Sequence, residues 1–432
     1  MRDIVITALV FCTLPLILRR PWIGILVWSW LGYMNPHRQA WGFAYEMPFA
    51  MIVAATLMVA IVFKGEKYRL PWSGTLALWL TFLAWMTLTT ALSIYPERAL
   101  PLYSTVIKIQ VMTLVTLMLI NDPYRIRALI WVMVGSIGFY SVKGGLFTLM
   151  TGGSYRVYGP MDSNISENNA MALATLMVIP LMVYLYKTCQ ARHWLRMALG
   201  AAILLSTVSV FGSQSRGALI TMAAVGVFFW LKSKSKLFTG AAITVLALLT
   251  FSFMPPSWHE RMATITSYEE DASAMGRIYA WKYSINIAAD RLTGGGFNSW
   301  SEGTYALYSP ESKTTNIVAH SIYFAVLADH GWPGLILYLS LLFLAWRNLS
   351  KVIARTRNAS DSFNPALLAR MLQVSLVAYM SGGAFLSLSY FDLPWHIVAM
   401  SVLLGNLYAK SATASAAVSQ RPPRGVSVGH GN

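Results

Sequence analysis

Arg216, Arg277 and His320 are the residues whose types and settings point most directly to chemistry. Arg216 lies in "GSQSRGALI", between two apolar runs with few polar neighbours. A guanidinium pairs with phosphate oxygens through a planar fork of donors. Gly212 and Gly217 permit close backbone approach, and Ser213, Gln214 and Ser215 can donate hydrogen bonds to the same anion. Arg277 falls in "SAMGRIYAWKYSINIAADRL", where residues 273–292 read as an amphipathic helix. Arg277 and Trp281, spaced i and i+4, share one face of that helix. His320 opens "HSIYFAVLADHGWPGLILY". Asn316 reads as the helix N-cap, which places His320 in or near the first turn. An imidazole titrates near neutrality and can accept a proton from a hydroxyl. Cations that hold a diphosphate, with a base that activates an alcohol, are what displacement of a diphosphate leaving group requires.

These side chains must be positioned by elements built for lipid. The chain has 432 residues, of which 56% are hydrophobic and only 12% charged. Its mean hydropathy is +0.53. A soluble protein of this length carries about twice that charged fraction. The apolar residues gather into runs long enough to cross a bilayer as helix. The chain is therefore expected to be an all-α polytopic integral membrane protein. Cys12 sits in an apolar run and Cys189 in a basic loop, so no disulfide is expected. Residues 3–18 are apolar but lack a small-residue cleavage site.

Apolar segments are read at 3–18, 22–34, 47–63, 73–93, 102–120, 128–150, 169–186, 195–212, 217–231, 237–254, 317–346, 366–387 and 394–409. Short basic loops carrying Lys64/Lys67/Arg69, Arg125/Arg127, Lys187/Arg192/Arg196, Lys232/Lys234/Lys236 and Arg347/Lys351/Arg355/Arg357 fall on alternate connections, as a cytoplasmic face requires. About twelve spans with both termini cytoplasmic is the reading adopted. In it the segment 3–18 does not fully cross; thirteen spans with the N-terminus outside is the alternative. Residues 1–410 then form a single transmembrane domain that includes one long outer loop, 255–316. Residues 411–432, rich in Pro, Gly, Ser and Ala, read as a disordered cytoplasmic tail.

Arg38, Arg98, Arg156, Arg216, Arg261, Arg277, Lys282 and Arg291 all fall at the outer face in this topology. Two explanations compete for each. One is snorkelling to lipid headgroups. The other is a cationic pocket for a phosphate-bearing substrate. The run 317–346 is about 45 Å long as helix, more than one bilayer core. Gly331 and Pro333 are expected to break it, so that its first part lines a cavity. His330 lies about 15 Å deeper than His320 and is the weaker candidate. The turn "TGGGFNSW" reads as flexible and is weak as a phosphate loop, because no P-loop lysine pattern follows.

The ordered series "YGPMDSNISENNAMAL", "GSQSRGALI", "GRIYAWKYSINIAADRLTGGGFNSW" and "AHSIYFAVLADHGWPGLILY" resembles the O-antigen ligase family over residues 155–345. The start "YMNPHRQAWGFAYEMPFA" is similar to the subgroup of exosortase-associated O-glycosylation ligases. The resemblance implies a GT-C-like glycosyltransferase architecture in a Gram-negative inner membrane, with the active site facing the periplasm. It implies an undecaprenyl diphosphate-linked glycan as donor and lipid A-core as acceptor, in contact with membrane lipids. It implies His320 as catalytic residue and Arg216 and Arg277 as donor diphosphate binders. Ser215 and Trp281 are expected beside them, and Arg156, Asn168, Arg38 and Arg291 are candidate substrate-binding residues. No cofactor, metal or nucleic-acid partner is expected.

Rival readings remain open at this level. Glu269-Glu270-Asp271 formally offers a Glu-x-Asp pair for a metal-dependent protein oligosaccharyltransferase, although a solvated acidic turn before the 273–292 helix is the favoured reading. A polymerase acting on the same lipid carrier shares the topology. A flippase of lipid-linked glycan needs cations along a path through the membrane, and Lys108 and Lys143 are the clear mid-span ones.

Overall fold

In lipid only a helix satisfies its own backbone groups within one segment, so the apolar runs have one outcome open to them. In a computed structural model, described over residues 1–64, 68–189, 193–233, 235–263, 272–312, 318–358 and 362–419, the described regular elements are helical. The first ten are α1 (Arg2–Arg19), α2 (Trp22–Met34), α3 (Phe49–Phe63), α4 (Gly74–Ala91), α5 (Pro96–Leu119), α6 (Pro123–Met150), α7 (Asn168–Thr188), α8 (His193–Gly212), α9 (Arg216–Lys232) and α10 (Lys236–Phe253). The long loop carries three more, α11 (Pro256–Ala263), α12 (Ala272–Asp290) and α13 (Glu302–Tyr308). Three follow it: α14 (Ile322–Arg355), α15 (Pro365–Gly382) and α16 (Asp392–Ser419). Among the described residues seven helices are long and apolar enough to cross a membrane, and α2, α3 and α9 are shorter apolar helices. The chain is a polytopic membrane protein.

Cross-links between loops sort the chain into two faces. On one, the main-chain N–H of Ile94 donates to Gly295, that of Val157 to Gly212, and the Gln214 amide to Gly153. On the other, Arg127 donates to the Ser362 carbonyl and Tyr184 to that of Phe363. The connection after α14, which follows the basic run 347–357, lies on this second face, and the described glycine turn 294–296 of the long loop on the first.

The N-terminus departs from expectation. Asp3 accepts hydrogen bonds from the N–H groups of Gly42 and Ala44 at 3.0 and 3.2 Å. Gln39 in turn bonds Tyr140, near the outer end of α6. The chain therefore starts on the face of the long loop. α16 begins on that face, after the turn 383–391, and runs away from it. The expected start of the chain on the face of the basic loops is corrected: it lies on the face of the long loop, and α1 runs antiparallel to α2 as a helix of its own. Arg2 and Arg19-Arg20 flank α1 with positive charge at both ends, which left charge counting without leverage there.

α14 is two helices joined at a break. Gly331 has φ 66° and ψ −173° inside it, followed by Pro333. Its upper part ends against the glycine turn: Gly295 N–H donates to Ala328 and Gly296 N–H to Asp329, at 2.8 and 3.0 Å. The indole of Trp85 donates to the freed carbonyl of His330 at 2.9 Å. The turn 294–296 is buried. It is a cap for the upper half of α14, not a flexible phosphate loop.

Candidate active site at the outer face

His320 is not in the helix. The N-cap of α14 is Ser321, and His320 precedes it with φ 44°, in the left-handed region. This corrects its expected place in the first turn; Asn316 lies outside the described residues. The left-handed residue turns the chain just before the helix starts.

Two contacts fix that turn. The indole N–H of Trp281 donates to the Ala319 carbonyl at 2.9 Å. The same ring stacks on Phe324, with centroids 4.9 Å apart and planes 12° from parallel. α12 is thus fastened across the entrance of α14, which brings Arg277, one turn before Trp281, to the histidine. Burial lowers the His320 pKa, the Arg277 charge lowers it further, and Glu167 opposes both. The imidazole is held neutral at pH 7, the form a base needs. Glu167 is a member of the site that reading the residues did not single out. It is the N-cap residue of α7, immediately before Asn168.

Arg216 is the first residue of α9, half-buried. Ser215 is its N-cap, and the Ser215 hydroxyl accepts from the N–H of Ala218 at 3.1 Å. The α9 start reaches the His320 entrance through the turn 383–385. A Cβ on Gly217 would lie 3.2 Å from Phe385, and one on Gly383 would lie 2.5 Å from Ile322. Asn168 donates to the Ser213 carbonyl at 2.7 Å and ties α7 to the α8–α9 turn that precedes Arg216. Ser213 and Gln214, expected to donate to an anion, donate inward: the Ser213 hydroxyl to the Val210 carbonyl and the Gln214 amide to that of Gly153.

The remaining candidates lie elsewhere. Arg291 donates to the carbonyls of Gly294 and Leu92 at 3.0 and 2.8 Å, joining the glycine turn to the α4–α5 connection. Arg38 pairs with Glu46 at 3.5 Å and covers the Tyr45 ring. Arg38 and Arg156 line a separate groove of about 850 Å³, together with Arg2 and Lys143. Glu269, Glu270 and Asp271 lie outside the described residues.

Residues 201–339, which hold Arg216, Arg277 and His320, match the family described as O-antigen ligase. This part of the chain belongs to that family. Residues 1–190 match a family of unknown function, DUF5935. No curated protein matches the chain. The O-antigen ligase segment supports a glycosyltransferase-like enzyme of the ligase and polymerase kind, acting on a lipid-linked glycan and an acceptor at a membrane. Its bounds run from α8 into the upper half of α14 and just past the break.

Proposed function

We propose that the protein is an O-antigen ligase of the Gram-negative inner membrane. It transfers a glycan from undecaprenyl diphosphate to a sugar hydroxyl of lipid A-core, at a site facing the periplasm. The observation that carries this reading is the setting of His320: inside the O-antigen ligase segment, kept neutral by burial and by Arg277.

Arg216 and Arg277 hold the donor diphosphate. Their charge stabilises the pyrophosphate as it leaves, which is where negative charge develops. His320 takes the proton of the acceptor hydroxyl. The oxygen then bonds to the anomeric carbon, and the bond from that carbon to the diphosphate oxygen breaks, the electron pair leaving with the diphosphate. One displacement inverts the anomeric centre. The imidazolium formed is offset by the nearby Glu167 carboxylate. Two arginines meet the diphosphate charge, so the reaction runs without a divalent metal. The membrane-embedded body corresponds to residues 1–410, with a cytoplasmic tail after it and a GT-C-like architecture.

The test is reconstituted transfer from undecaprenyl diphosphate-linked glycan to lipid A-core in excess EDTA. Turnover of a single glycan onto lipid A-core supports the ligase. Products lengthened on the lipid carrier instead would establish a polymerase. Activity lost in EDTA and restored by magnesium would point to the acidic residues 269–271 and overturn the metal-free mechanism.

A further inference from the structure

Behind the His320 turn lies a cavity of about 220 Å³. Val318 and Ala319 form one wall, so it opens immediately beside His320. Asp329 faces it, only 4% exposed. One carboxylate oxygen, Oδ2, accepts from the Tyr390 hydroxyl at 2.9 Å. The other, Oδ1, is buried and has no partner among the described residues. Tyr390 also meets His330 Nε2 at 2.9 Å, and His330 Nδ1 meets Thr89 at 2.7 Å. The main-chain carbonyl of Asp329 is fixed by Gly296 N–H at 3.0 Å. Tyr390, in the 383–391 turn, thus holds the carboxyl group, and the glycine turn holds its main chain, yet one oxygen keeps no partner. A buried acceptor left unmatched is costly, on the order of 1–3 kcal/mol or more for a charged group. Such a group in the wall of a cavity is a binding group waiting for a hydrogen-bond partner.

The rest of the lining states the chemistry of that donor. Trp300 offers an aromatic surface; Asn164, Asn298 and Ser389 offer amide and hydroxyl groups. None of the described lining residues is cationic. A diphosphate finds no counter-charge here. A neutral ring bearing hydroxyls fits: its hydroxyls hydrogen-bond to a carboxyl group and amides, and its C–H face packs on an indole. The volume equals that of roughly seven waters at ~30 Å³ each, room for one pyranose rather than a chain of them.

We infer that this cavity is a neutral-sugar subsite, seating one pyranose beside His320 with the Asp329 carboxyl group hydrogen-bonded to a ring hydroxyl. The subsite deepens the ligase reading and rests on it for the source of the ring, either the donor glycan or the acceptor. Its binding test does not.

The probes are the methyl pyranosides of glucose, galactose, mannose and a heptose, at millimolar concentration on the purified full-length protein. Saturation-transfer NMR should show saturable binding of at least one. Ala325→Leu, which fills the cavity, should abolish it, and Asp329→Asn should weaken it at least tenfold. Asn164→Ala, exposed at the rim and outside the Asp329 network, should weaken it at least threefold and decides the matter where Ala325→Leu fails to fold. Absence of saturable binding for every pyranoside, or binding undiminished in a folded Ala325→Leu, overturns the subsite. In the transfer assay Asp329→Asn should raise KM for one substrate at least fivefold, and which KM moves names the source of the ring. Sugar binding without transfer from a polyprenyl diphosphate glycan upholds the subsite and overturns the ligase; transfer without sugar binding does the reverse.

Discussion

Trp281 and Ala319 are joined by a hydrogen bond of 2.9 Å, and the residue after Ala319 is His320. In the proposed mechanism the indole therefore positions the base. Trp281→Phe keeps the stack on Phe324 and loses the donor. We expect kcat to fall about tenfold, the worth of roughly one such hydrogen bond in the transition state, with KM little changed. The acid limb of the pH profile should stay in place. Steady-state kinetics over pH checks both, and an unchanged kcat would reduce Trp281 to a packing residue.

The His320 pKa lies below its ordinary value of 6.5, through burial first and Arg277 second, with Glu167 pulling the other way. The neutral base is active, so kcat/KM should hold as pH falls through 6.5 and drop only below it. Arg277→Gln removes a lowering charge and should move that acid limb upward. Glu167→Gln removes a raising charge and should move it downward. Equal limbs in wild type and both variants would mean that another group titrates.

How much of this arrangement was legible in the chain depends on the range of the interaction. The apolar runs announced the helices, and the i, i+4 pair Arg277 and Trp281 announced a helix over 273–292, observed from Ala272 to Asp290. Gly331 and Pro333 announced the break, because glycine reaches positive φ and proline refuses a helix interior. The start of α14 was ambiguous, since Asn316 and Ser321 are both competent N-caps. Choosing Ser321 moved His320 out of the helix and into a left-handed turn. The bond from Asp3 to Gly42 and the Tyr390 bonds to Asp329 and His330 join residues with no local relation, 39, 61 and 60 positions apart. No periodicity encodes them. Glu167 reaches the site only through tertiary packing, α7 lying against α15 and α15 against α14.

Gly331 should tolerate no side chain. Its φ is 66°, and a Cβ there would lie 2.0 Å from the Leu292 carbonyl oxygen. Backbone atoms cannot rotate away as a flexible side chain does. Gly331→Ala is expected to cost ~1–2 kcal/mol from the left-handed backbone alone, and more from the clash. Thermal unfolding in detergent should show a clear fall in Tm. Gly405, with open space around its Cβ position, is the control: Gly405→Ala should leave Tm within error.

Arg216 and Arg277 act as forks and not as point charges, in the proposed mechanism. Alanine at either should raise KM for the donor by about tenfold to a hundredfold, the worth of ~1.5–3 kcal/mol for a hydrogen bond to a charged group. Lysine should restore only part of this, since it lacks the planar pair of donors. Full rescue by lysine at Arg216 would reassign that residue to lipid headgroups at the interface. Titration of donor binding in nanodiscs, separate from turnover, distinguishes the two.

The two histidines of α14 and its entrance should fail in different ways. His330 is fully buried, bonded at both ring nitrogens to Thr89 and Tyr390, with its edge against Phe297 at 4.7 Å. His330→Ala leaves a cavity and takes one partner each from the Thr89 and Tyr390 hydroxyls, which keep Met86 and Asp329, a loss of roughly 3 kcal/mol that should appear as lower Tm and yield. Turnover per folded molecule should remain within about tenfold of wild type, because no proton passes through this ring in the mechanism. His320 is only partly buried and no helix depends on its side chain. His320→Ala should leave Tm and donor binding nearly unchanged and remove ~10²–10⁴ of the rate, the usual share of a general base. Single-turnover transfer from undecaprenyl diphosphate glycan to lipid A-core, normalised to folded protein, separates the cases. Near-normal turnover in folded His320→Ala would remove the base from the mechanism and leave the histidine as a residue that shapes the turn before α14.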